Sequence, residues 1–91
     1  MMTKYTPQLL SRLEDIFSQS DYALRYEKGN FKPGYCILKD QKVVIVNKFY
    51  PVEGKINCLI DILRAVNLDI SKINDKNKEL YNEITQPHLK F

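Results

Sequence analysis

A single histidine, two cysteines and three glycines are all that this chain holds of those residue types. No apolar run approaches the roughly 18 residues needed to span a bilayer. Each scarcity excludes a class of function. With only His88, a Cys-His or Ser-His couple would require the segment after Pro87 to dock closely on the rest of the protein. Cys36, Cys58 and that histidine fall short of four zinc ligands, and two cysteines make no disulfide framework. Each cysteine lies in an apolar run and reads as a small buried hydrophobe. There is no G-x-G-x-x-G and no Walker loop, and the loop between Gly29 and Gly34 does not run into a helix as a phosphate cradle does. No cofactor, no metal and no membrane contact are expected. The opening MMTKYTPQLL lacks a continuous apolar signal core, so a reduced cytoplasm is the expected location.

What is present suits one small folded unit. Ninety-one residues leave no room for a second core, and 44% apolar with 27% charged content is ordinary for a globular domain. The net charge of +3 is unevenly spread. Residues 1–21 are slightly acidic and residues 56–91 are balanced. All the excess positive charge lies in 22–55, so an anionic partner would meet the protein there.

The pattern along the chain predicts six elements. Thr6-Pro7 is a helix start, a hydroxyl cap followed by proline at the first helical position. Leu9, Leu10, Leu13, Ile16 and Phe17 then form one apolar stripe, ending near Ser18–Ser20. Tyr22, Leu24 and Tyr26 alternate with Ala23, Arg25 and Glu27, the period of a half-exposed strand. After the 28–34 loop, Tyr35–Leu38 and Val43–Val46 read as two strands joined by Lys39-Asp40-Gln41-Lys42, a turn whose type the sequence does not fix because Asp40-Gln41 lacks glycine. Val43 to Val46 is apolar on both faces and belongs inside the sheet or under cover on both sides. A second helix is expected from about Val52 to Val66, with Gly54 weakening its first turn. Ser71 is the candidate cap of a third helix carrying Ile73, Leu80, Tyr81 and Ile84. Its first half is polar nearly all round and expected to be mobile. The predicted fold is α+β: a three-stranded antiparallel meander with an N-terminal helix and two C-terminal helices. Residues 1–86 form the domain, and 87–91 a loose tail beyond Pro87.

The hairpin feeding a helix through Asn47, Pro51 and Glu53 is similar to the core of zincin metallopeptidases, including the regulator-cleaving kind found beside helix-turn-helix repressors. In that family the helix carries H-E-x-x-H, two histidines on one face that hold Zn²⁺ and a glutamate that activates water. The matching pentad here is Ile60-Asp61-Ile62-Leu63-Arg64, so both ligands are replaced and Asp61 alone keeps a carboxylate. The resemblance spans about a third of the chain and implies a scaffold without its zinc site and without peptidase activity. The pattern RYEKGNFKPGYCIL, VVIVNKF and INCLIDIL also resembles a small bacterial family, which implies no activity.

What remains is a surface. Tyr22, Tyr26, Phe31, Tyr35, Phe49 and Tyr50 are interleaved with basic residues through 22–50. Rings that stack on bases beside cations that neutralise phosphates are the ingredients of single-stranded nucleic-acid binding. The same residues are also common simply because tyrosine fits a pleated surface and lysine guards exposed edges. Arg25, Lys28, Phe31, Lys32, Lys42, Lys48 and Tyr50 are the candidate interaction surface. The expected function is a non-catalytic protein-interaction or self-associating module, with a protein partner or a homodimer. A nucleic-acid-binding module using that basic and aromatic region is the alternative.

Overall fold

The structure is a computed structural model that describes residues 5–29 and 34–85. Its elements are α1 (Pro7–Gln19), β1 (Ala23–Glu27), β2 (Tyr35–Leu38), β3 (Val43–Asn47), α2 (Val52–Ala65) and α3 (Asp75–Thr85). Phe31, Lys32, His88 and the expected 87–91 tail lie outside the described residues.

Helix α1 begins as its sequence dictates. The Leu9 N–H donates to Thr6 Oγ1 at 3.2 Å, and Pro7 takes the position where a missing N–H costs nothing. At the other end, the N–H and hydroxyl of Ser20 both donate to the Phe17 carbonyl, closing the helix. Helix α2 has Pro51 at its cap and no side-chain cap bond, but Glu53 in its first turn and Arg64 in its last complement the helix dipole. Gly54 does not interrupt it.

The sheet is mixed, with order β1-β3-β2. β2 and β3 form the expected antiparallel hairpin, with Leu38 opposite Val43, whereas β1 runs parallel to β3, with Ala23 opposite Val43 and Glu27 opposite Asn47. This corrects the antiparallel meander. The physical reason lies in β3 itself: the strand that is apolar on both faces takes the centre, which separates β1 from β2. The turn between β2 and β3 closes with Gln41 N–H donating to the Leu38 carbonyl and Lys42 N–H to the Lys39 carbonyl. Lys42 adopts φ 55°, the left-handed conformation that a glycine would have signalled.

Because paired residues share a face, the register sorts the sheet into two sides. Leu24, Tyr26, Val44, Val46, Tyr35 and Ile37 point toward the helices. Val44 and Val46 are fully buried there, with Leu13, Ile16 and Phe17 of α1 and Ile56, Leu59 and Ile62 of α2. Full burial of such side chains is worth about 1.5–3 kcal/mol each. Helix α3 closes the helical layer against α1 and α2, contributing Leu80 and Ile84 to the core.

The first half of α3, expected to be mobile, is instead anchored. Its cap is Asn74 rather than Ser71: Asn74 Oδ1 accepts from the Asn77 N–H at 2.9 Å. The buried Asn77 amide donates to Asp15 Oδ2 at 2.8 Å and to Gln19 Oε1 at 3.2 Å. A polar face packed on a neighbour's polar face hides behind a sequence that looks solvated all round. Among the described residues no helix is long and apolar enough to cross a membrane.

Candidate interaction surface

The five described members of the sequence-predicted surface do not converge. Arg25 sits at the middle of β1 on the side away from the helices, with its guanidinium 2.8 Å from Glu27 Oε2. Lys42 lies at the hairpin end of the sheet, 2.7 Å from Asp21 Oδ2. Lys28 and Lys48 share the opposite end, where the Lys48 N–H donates to the Glu27 carbonyl. Six residues of extended chain separate Lys42 from Lys48, about 20 Å. Tyr50 is half-buried, its ring packed against the bare Cα of Gly34 and of Gly54: a Cβ at Gly34 would come within 2.5 Å of the hydroxyl, and one at Gly54 within 2.9 Å of the ring.

The rings are also turned away from the outer face. Tyr22 is buried, and Tyr26 and Tyr35 face the helices. Among the described members of the aromatic set only Phe49 is exposed, at 67%, with the Lys48 ammonium 5.3 Å from its ring centre.

The ionisable groups are tuned structurally. The ion pair raises the Lys42 ammonium and, with the Asp69 N–H bond, lowers the Asp21 carboxyl. Asp69 is lowered by accepting the Ser71 N–H. Burial, then the bond from its hydroxyl to Glu14 Oε2 at 2.5 Å, pushes the Tyr26 phenol well above the ordinary tyrosine range. Burial also raises Tyr35 and Cys58, and the Asp61 charge adds to both. A raised thiol is the opposite of an activated nucleophile. Among the described residues, no three His, Cys, Asp or Glu side chains are placed to hold a metal ion. The pentad laid on the zincin motif is used structurally: Ile60 packs against the core, Ile62 and Leu63 are buried in it, and Arg64 Nε donates to the Ile84 carbonyl at 2.9 Å.

Two features that strand order alone reveals were not anticipated. The first is the uncovered face, where Val43, Ile45, Cys36 and Leu38 remain partly exposed beneath no described element. The second is the edge of β1. The Ala23 N–H donates to the Lys42 carbonyl and the Glu27 carbonyl accepts from Lys48, so the odd-numbered residues face β3. By the alternation of a parallel ladder, Leu24 and Tyr26 direct their N–H and C=O groups outward. Beside this edge runs a groove of about 540 Å³, lined by Glu14, Phe17 and Ser18 of α1 together with Tyr22, Leu24 and Tyr26. Its lining includes two carboxylates, Glu14 and Asp21, and no cation. The other outer strand, β2, directs Tyr35 and Ile37 outward, and a smaller pocket of about 390 Å³ lies at its hairpin end, lined by Ile37 and Leu38 with Lys39, Asp40 and Gln41.

No family model, curated protein or solved structure matches this chain. The reading of function therefore rests on the geometry above. Period-two alternation in 22–27 could have flagged Leu24 and Tyr26 as a pair, but only the parallel pairing with β3 says which way their backbone groups turn.

Proposed function

We propose that this chain is a non-catalytic protein-interaction module that takes an extended segment of a partner along the edge of β1. The observation that carries this reading is the edge itself. Leu24 and Tyr26 present N–H and C=O groups beside a groove of mixed polar and apolar lining, the arrangement used when a sheet gains a strand from another chain. Main-chain bonds would supply affinity, and side chains at alternate positions of the incoming strand would meet Phe17 and Tyr22. Asp21 is already paired with Lys42, and the Glu14 carboxylate favours a neutral or basic segment and disfavours a phosphate backbone at that place.

A synthetic strand of alternating valine and lysine, titrated into isotope-labelled protein, tests the reading. Shifts and slowed hydrogen exchange at the Leu24 and Tyr26 amides are expected. Unchanged amides at saturating peptide would remove it.

Nucleic-acid binding is the second reading, favoured by Lys28, Lys48 and the exposed Phe49 gathering at one end of the sheet. It requires steeply salt-dependent binding of a single-stranded oligonucleotide, weakened by Lys28→Glu or Lys48→Glu.

A further inference from the structure

Resting on the edge reading above, we propose that the strand received by β1 is β1 of a second copy. The two β1 strands pair antiparallel about a two-fold axis at Tyr26, and two three-stranded sheets become one of six strands.

Three symmetric registers use the outward-facing groups. With the axis at Leu24, Tyr26 would meet Tyr22 of the second copy, whose N–H and C=O already bond to Ser20 Oγ. The side chains choose between the other two. With the axis at Arg25, Leu24 would lie opposite Tyr26 of the second copy, but the two Arg25 side chains would confront each other. Like charges directly opposite are destabilising. With the axis at Tyr26, the N–H and C=O of one Tyr26 meet those of the other. Leu24 falls opposite Lys28 of the second copy, and Arg25 falls directly opposite its Glu27. That last pair occupies a non-hydrogen-bonded site, where side chains approach most closely. Arg25 and Glu27 already lie side by side at 2.8 Å on the outer face, and the axis duplicates them. The result is a cycle of alternating charge, two arginines and two glutamates, across the junction.

The groove is consistent with this occupant. The incoming strand places Tyr26 and Leu24 of the second copy on the helix-facing side of the sheet, beside the groove formed with Phe17 and Tyr22. Nothing equivalent sets a register at β2, whose four residues Tyr35–Leu38 carry no charge.

Charge reversal and exchange of the two charged positions give the test. Sedimentation of the full chain from micromolar to millimolar concentration is expected to show a monomer–dimer equilibrium, with Leu24 and Tyr26 amide exchange slowing as the dimer fills. Arg25→Glu sets glutamate opposite Glu27 and should weaken the dimer at least about tenfold. Its side chain is 62% exposed, so the monomer should keep its circular dichroism. Arg25→Glu combined with Glu27→Arg restores opposite charges across the axis and should restore the dimer. A chain that stays monomeric throughout overturns the proposal. So does a dimer indifferent to Arg25→Glu, one not rescued by the exchange, or one whose slowed amides are Tyr35 and Ile37. A monomer whose Leu24 and Tyr26 amides still respond to the synthetic strand would sink self-pairing and leave the edge reading standing.

Discussion

The two sides of β3 carry nearly the same residues and meet opposite fates. Val44 and Val46 are sealed under α1 and α2, while Val43 and Ile45, one residue away, stay partly exposed. Side-chain chemistry does not distinguish them; the parity of the position does. A strand that is apolar on both faces is therefore not evidence of cover on both faces. Here one face makes the core and the other is left beneath no described element.

The largest test is to place a charge on each side. Val44→Asp buries an unpaired carboxylate and should cost about 4 kcal/mol or more, a large part of the stability of a small domain. Ile45→Asp should cost about 1 kcal/mol or less, read from urea unfolding at neutral pH. Equal losses would mean that the outer face is covered in solution and would end the comparison.

Where the packed side runs past the end of the sheet, Tyr50 fills the space between two glycines. Gly34→Ala adds a methyl into that ring at φ 118° and should cost about 2–3 kcal/mol. Gly54→Ala meets the same ring at a helical position, where gained helix propensity offsets part of the clash, so its loss should be smaller. Replacing Tyr50 by alanine in each background should shrink both effects, a double-mutant cycle that measures the contact.

Proton binding separates the two sides more gently. Tyr26, Tyr35 and Cys58 all belong to the packed side and all have raised values, because burial favours their neutral forms. A raised folded value means the stability is fully present below the unfolded value and is lost as pH rises beyond it. Unfolding free energy should thus hold through neutral pH, begin to fall near 9 as unfolded Cys58 ionises, and fall further above 10 as the tyrosines follow. Tyr26→Phe should flatten the part above 10. The smallest effect is a rate. Cys36 on the outer face should react with a thiol reagent in the native protein, and buried Cys58 only after unfolding.

Much of the local structure was legible, because it is encoded locally. Thr6-Pro7 starts α1 as read, the strand alternation falls within a residue of its observed limits, and Val52 opens α2. Sheet order was legible only in part: the two-faced apolar character of Val43–Val46 marked β3 as an inner strand, but no residue of β1 says that it pairs parallel to it. As the central strand, β3 buries Val44 between Leu24 and Ile37 and Val46 between Tyr26 and Tyr35, beneath the helices. Asn77 misled for the same reason. Its amide is satisfied by Asp15 and Gln19, more than fifty positions away, so its polar character said nothing about burial. The candidate surface suffered most. Charge and aromatic content drew that surface, yet Lys42 and Lys48 flank β3 and so lie at its opposite ends, and turning the tyrosines inward depends on long-range pairing.

The middle strand is also the last of the three to leave the ribosome, and that orders assembly. Until β3 emerges, β1 has no ladder to join and β2 has no hairpin partner. The β2–β3 hairpin, closed by four residues, should nucleate first, and β1 should dock onto it afterwards across a much longer stretch of chain. Replacements at Leu24 should then mainly accelerate unfolding, while replacements at Val44 should slow folding itself.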